Sequence, residues 1–222
     1  MTGARPGLLR RALAEAIAAF ALVFAGCGAI VSEARHGGLG TVGIALVFGL
    51  VIMVMIYATG HLSGAHINPA VTVAFAAARH FPLKEAVAYI AAQLSGATLA
   101  ALLLLAAWPS APADLGATMP SASAGTAFLY EAVLTALLMF VITAVATDTR
   151  AVGAGAAIAI GGTVGLDALF GGPITGASMN PARSFGPALV AGQWHDFWIY
   201  LAGPVTGALV GVFAYELIRG AR

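Results

Sequence analysis

The chain has 222 residues, of which 60% are hydrophobic and only 9% charged, and its formal net charge is +1. A water-soluble domain carries about 25% charged residues, so this composition excludes a soluble fold and predicts an integral membrane protein. No basic run longer than Arg10-Arg11 exists, so nothing points to nucleic acid and none is expected as a partner, and the single cysteine, Cys27, excludes an internal disulfide or a cysteine-built metal cluster.

About 20 apolar residues are needed to cross a hydrocarbon core about 30 Å thick. In chain order, the segments that qualify are Leu13–Val31, Gly40–Ala58, Ala86–Ala107, Ala127–Ala146, Val152–Leu169 and Phe197–Ile218. The first runs too far beyond Arg11 to be a cleavable leader. Two further apolar stretches, Pro69–Ala78 and Pro181–Ala191, are too short to cross. At about 1.5 Å per residue they cover about half of the core. Each opens on a proline, which suits the first helical position because the absent N–H would be unpaired there anyway.

Six crossings put both termini on one side. That side collects Arg5, Arg10, Arg11, Arg79, Lys84, Arg150, Arg219 and Arg222, whereas the opposite side holds Arg35 and a long loop, Trp108 to Ser123, without Lys or Arg. The excess of positive charge predicts cytoplasmic termini.

The chain also reads as a duplication, with repeats at about 10–107 and 124–219 of one channel domain covering 1–222. "LAEAIAAFALVF" (from Leu13) matches "LYEAVLTALLMF" (from Leu129), aligning Glu15 with Glu131. "AYIAAQLSGATLAAL" (from Ala88) matches "IYLAGPVTGALVGVF" (from Ile199). Three spans per half is odd, so the halves insert in opposite senses, an arrangement that sets the functional site near the midplane.

Between the aligned spans stand "GAHINPAVT" (Gly64–Thr72) and "GASMNPARS" (Gly176–Ser184). Irregular backbone at membrane depth is tolerated where protein buries it or where it lines a watery cavity. The loops before each Asn-Pro therefore predict a lumen lined by carbonyls of Gly64, Ala65 and His66 in one half and Gly176 and Ser178 in the other. Asn68 and Asn180 open the two half-helices and can aim their amides at the same lumen. The positive ends of both helix dipoles then meet at the midplane, repelling cations and offering donors to neutral oxygens.

These features resemble the aquaporin, or major intrinsic protein, family: the paired "HINPAVT" and "MNPARSFGPA", the six-span inverted repeat, and Glu15 with Glu131. The likeness runs from about Arg10 to Arg219 and implies an all-α membrane fold of six transmembrane helices and two half-helices. Its signature segments are Asn68-Pro69-Ala70 and Asn180-Pro181-Ala182. The resemblance further implies a constriction built from Phe48, Ala168, Ala177 and Arg183, loop bracing by Glu15 and Glu131, and a homotetramer in a cell membrane. Water channels of this family carry His where Ala168 stands, so a wider opening is expected here. Ser184 and Ala188 are water-channel-like, whereas Tyr200-Leu201 resembles the plant nodulin-like intrinsic proteins and their bacterial relatives. That branch passes glycerol and the boric, silicic and arsenous acids. A passive channel for water and small neutral solutes is thus implied, with a facilitator mainly for glycerol or metalloid hydroxides as the alternative.

Ionisable residues inside spans are functional by default, and Glu15, Glu131 and Asp167 motivate a proton-coupled transporter as a rival reading. The symmetric placement of the glutamates favours bracing. Asp167 either pairs with Arg183 or, as the preferred reading, reaches the headgroups. His61 is read as a loop brace, His66 as offering its carbonyl, and His36 and His195 as exposed. Glycines including Gly26, Gly28, Gly96, Gly153, Gly203, Gly207 and Gly211 are read as close-packing positions between spans. No nucleophile–base pair, dinucleotide fingerprint or metal-ligand spacing stands out, so neither an enzyme nor a cofactor is expected.

Overall fold

The computed structural model describes residues 6–148, 150–151 and 155–220. Arg5, Val152, Gly153 and Arg222, named above, lie outside the described residues. The described residues form eight α-helices: α1 (Leu8–His36), α2 (Gly40–Ser63), α3 (Pro69–Ala77), α4 (Leu83–Ala107), α5 (Ala124–Thr147), α6 (Ala156–Thr175), α7 (Pro181–Ala191) and α8 (Phe197–Arg219). A tight turn, Pro112–Gly116, lies between α4 and α5. Six helices, all but α3 and α7, are long and apolar enough to cross a membrane.

Several boundaries differ from the sequence expectation for identifiable reasons. The span expected to end at Ala58 continues to Ser63, which makes His61 an exposed residue of the last turn of α2 rather than a loop brace. The fifth span passes through Pro173 and ends at Thr175, because the left-handed cap at Gly176 stops it rather than the proline. In α3 and α7 the starts fall at the expected prolines: the Asn68 side chain accepts from Ala70 N–H, and Asn180 accepts from Ala182 and Arg183 N–H. Each asparagine thus satisfies backbone donors that an uncapped helix would leave open.

Packing follows the duplication. α1 lies along α4, α5 lies along α8, and the two halves join where α2 meets α6. Each half-helix also crosses to the other half, α3 against α8 and α7 against α4. Glycines allow the closest approaches. A Cβ on Gly96 would lie 2.1 Å from the Ala16 carbonyl oxygen, and one on Gly207 would lie 2.1 Å from that of Ala132. Gly49 and Gly161 face each other's carbonyls in the same way, at 2.7 and 2.6 Å. Outward faces are apolar, with Leu9, Val87 and Leu217 standing exposed as a lipid-facing surface requires.

Because α4 approaches the backbone of α1 at Gly96, Gly96→Ala forces the two helices apart. The expected result is a loss of about 1–3 kcal/mol, read as a lowered midpoint of thermal unfolding in detergent. An unchanged midpoint would contradict the close crossing.

Candidate functional site

The two loops that enter the bundle share one backbone pattern. Gly64 and Gly176 close α2 and α6 with φ of 93° and 85°. Beyond them, Ala65 and Ile67 have φ of 48° and 58°, and Ala177 and Met179 have 39° and 53°. A left-handed non-glycine residue costs about 1–2 kcal/mol, so these loops persist only where their surroundings over-determine them.

Glu15 and Glu131 provide that restraint. The Oε1 of Glu15 accepts from Ser63 Oγ at 2.7 Å and His66 N at 3.0 Å; its Oε2 accepts from Ile67 N at 2.6 Å and Gln93 Nε2 at 2.8 Å. The Oε1 of Glu131 accepts from Thr175 Oγ1 at 2.7 Å and Ser178 N at 2.8 Å, and its Oε2 from Met179 N at 2.8 Å. Tyr89 and Tyr200 complete the match, each donating at 2.7 Å to the carbonyl of Ser63 or Thr175. Both glutamates are fully buried. Neither lines the lumen described below. Their oxygens are occupied by loop donors, an arrangement suited to holding a backbone rather than passing protons.

The half-helix starts meet. Asn68 Nδ2 donates to the Met179 carbonyl at 2.7 Å, and Asn180 Nδ2 donates to the Ile67 carbonyl at 2.9 Å. Each asparagine therefore ties its own helix start to the opposite loop. An amide nitrogen carries two hydrogens, so each Nδ2 keeps one beyond this contact, and both asparagines are among the lumen residues.

The lumen encloses about 870 Å³ free of protein atoms, its mouths included. Its wall contains Phe48, Ala168, Ala177 and Arg183, both asparagines, and loop residues Gly64, Ala65, His66 and Ser178. Gly176, expected among the lining carbonyls, is outside this wall: it serves as the cap of α6 and abuts Thr118. Most of the remaining wall is apolar, including Leu22, Ile52, Ile56, Leu138, Ile160 and Val164.

Arg183 is 2% exposed. Its Nη1 donates to the Gly116 carbonyl at 2.7 Å, and its Cζ lies 5.1 Å from the centre of the Phe48 ring. Its Nε is buried without a protein partner among the described residues. Gly116 was missed by sequence reasoning. It lies in the long loop without Lys or Arg, at the end of a turn in which Ala113, Asp114 and Leu115 all have positive φ. The buried Leu115 anchors that turn. A second missed feature is a hydroxyl chain behind Asn180: Thr118 Oγ1 donates to Ser184 Oγ at 2.8 Å, which lies 2.6 Å from Ser178 Oγ.

Asp167 corrects both sequence readings. It is fully buried in α6, so it does not reach out of the bundle, and neither oxygen has a hydrogen-bond partner among the described residues, Arg183 included. The ring of His66 packs among Phe75, Phe81 and Tyr89, with Nδ1 3.1 Å from Thr72 Oγ1. His36 and His195 are exposed.

Comparison with known proteins agrees with this geometry. Residues 4–215 match the family described as Major intrinsic protein. Aquaporin NIP1-1 of Oryza sativa subsp. japonica is 47% identical over 212 residues, covering 95% of this chain and 75% of the relative. Aquaporin NIP3-1 of Arabidopsis thaliana is 50% identical, covering 96% and 69%. Nodulin-26 of Glycine max is 48% identical, covering 95% and 78%. Among solved structures, the aquaglyceroporin from Plasmodium falciparum superposes with a TM-score of 0.84 at 28% identity, covering 94% of this chain and 96% of that one.

A glutamine in place of Glu131 presents an NH₂ where one carboxylate oxygen accepted, so at least one loop N–H loses its acceptor. Glu131→Gln is expected to cost about 1–3 kcal/mol of stability and to lower water flux through the loosened loop. Thermal unfolding and stopped-flow light scattering on the same preparation check both effects.

Proposed function

The chain belongs to the major intrinsic protein family, and from that premise we propose a permissive pore whose constriction is formed by Phe48, Ala168, Ala177 and Arg183. The protein is a passive membrane channel for water and small solutes and not an enzyme. In the proposed reading the neutral solutes include glycerol and hydroxides of similar size, such as boric acid.

The observation that carries this reading is the composition of the constriction. Two of its contributors, Ala168 and Ala177, are methyl-sized, while Phe48 and Arg183 stand against each other. A solute meets hydrogen-bond donors from one arginine, an aromatic face and otherwise open space. Pore diameter and lining donors decide selectivity in such channels, a general rule that itself takes aquaporin-type pores as an example. At the midplane, Asn68-Pro69-Ala70 and Asn180-Pro181-Ala182 supply the second station. There the amides face a solute while the starts of α3 and α7 make the potential positive. Together with the fixed charge of Arg183, this opposes cations and hydrated protons.

The further elements of the proposal are one channel domain over 1–222, cytoplasmic termini in a cell membrane, and a homotetramer with one lumen per chain. Arg10, Arg79, Lys84, Arg150 and Arg219 at the terminal side support the orientation. The complete lumen within one chain supports a pore in every copy.

Two substitutions test the constriction in proteoliposomes. Ala168→His fills the open side and is expected to lower glycerol permeability at least about fivefold while water permeability falls less. Equal losses would mean that Ala168 is not at the narrowest point. Arg183→Ala removes the guanidinium, and proton leak under an imposed pH gradient is expected to rise about tenfold. An unchanged leak would remove Arg183 from the lumen.

A further inference from the structure

Gly26, on α1, lies one turn beyond Leu22, a lumen residue, and is itself buried. A Cβ added at Gly26 would fall 2.1 Å from Phe48 Cε1, 2.5 Å from Cζ and 2.6 Å from Cδ1. Carbon atoms in contact stand about 3.5–4.0 Å apart, so the ring edge would have to move by at least about 1.4 Å.

This glycine differs from those at the helix crossings. Gly96, Gly207 and Gly49 each meet a backbone oxygen of a neighbouring helix, whereas the three nearest atoms at Gly26 all belong to one aromatic ring. The sequence reading that Gly26 serves helix-to-helix packing holds, but here the space goes to a side chain of α2 rather than to its backbone. The duplication sharpens the contrast. The alignment that pairs Glu15 with Glu131 and Gly49 with Gly161 also pairs Gly26 with Ile142 and Phe48 with Ile160. Ile142 and Ile160 both line the lumen. One half thus places two side chains of similar size where the other places a large ring beside none.

We propose that Gly26 sets the width of the constriction, its missing side chain being the recess in which the Phe48 ring lies. The ring is bounded on its other side by Arg183, whose Cζ is 5.1 Å from the ring centre and whose Nη1 is fixed to the Gly116 carbonyl. With the guanidinium held and α1 occupied, a ring expelled from the recess moves into the lumen. Gly26 is a positioning residue: it touches Phe48, and Phe48 touches the solute. The proposal rests on the reading that Phe48 belongs to the constriction.

The test is stopped-flow light scattering on proteoliposomes holding equal amounts of each variant, with water and glycerol as probes. Gly26→Ala is expected to lower glycerol permeability at least about fivefold, with a smaller loss for water. Adding Phe48→Ala removes all the ring atoms in conflict, and the double variant is expected to return to within about twofold of Phe48→Ala alone. A double variant as impaired as Gly26→Ala, or Gly26→Ala with the wild-type ratio of glycerol to water, overturns the proposal. Should Gly26→Ala fail to fold, the double variant is expected to fold, and its failure would overturn the proposal too. Ala168→His distinguishes the two levels. If it narrows the pore and Gly26→Ala does not, the role of Gly26 falls alone; if neither changes the ratio, the constriction reading falls with it.

Discussion

Two strands of irregular backbone sit at the depth where a bilayer offers no water, and every other part of the molecule answers to that condition. Unpaired peptide groups there cost several kcal/mol each, so the chain must supply acceptors for the loop N–H groups from its own side chains. Glu15 and Glu131 do this from inside two spans, collecting Ile67, His66, Met179 and Ser178. Once the N–H groups are turned towards the carboxylates, the loops expose Gly64, Ala65, His66 and Ser178 along the lumen. The same restraint sustains the left-handed residues Ala65, Ile67, Ala177 and Met179. The passage for solutes is thus the reverse side of a hydrogen-bonding solution.

The halves obey this condition alike but diverge around it. In the first, Gln93 and Thr72 support the brace, with Gln93 Nε2 reaching both Glu15 and Thr72. Pro204 stands at the aligned position of α8, and the second loop instead leans on Thr118, Ser184 and Ser178. Divergence is sharpest along the lumen wall. Arg183 aligns with Val71, and Phe48 with Ile160, all lumen residues. One end of the passage therefore carries a fixed charge and a ring, while the corresponding end is hydrocarbon.

Much of this was legible in the sequence because it rests on local chemistry. The charge deficit, the two Asn-Pro pairs and the aligned glutamates are each readable from a few neighbouring residues. They led to the spans, the half-helix starts and the elements that line the lumen. What escaped depends on contacts between residues distant in the chain. The Gly116 carbonyl meets Arg183 across 67 positions, and nothing near Gly116 in sequence marks it as an acceptor. Gly176 was misread because its counterpart Gly64, also a left-handed cap, does line the lumen, and only packing against Thr118 sets the two apart. Asp167 was misread because a lone acid beside an apolar wall is ordinarily near water, and only packing against neighbouring helices shows it enclosed.

The reciprocal amide contacts between Asn68 and Met179 and between Asn180 and Ile67 also bear on biogenesis. The nascent chain completes one loop long before its counterpart is synthesised, so Ile67 and Asn68 wait unmated while four more helices are inserted. The conducting passage consequently cannot close until the second half has been made, and a chain translated only through α6 lacks Met179 and Asn180, the mates of Asn68 and Ile67.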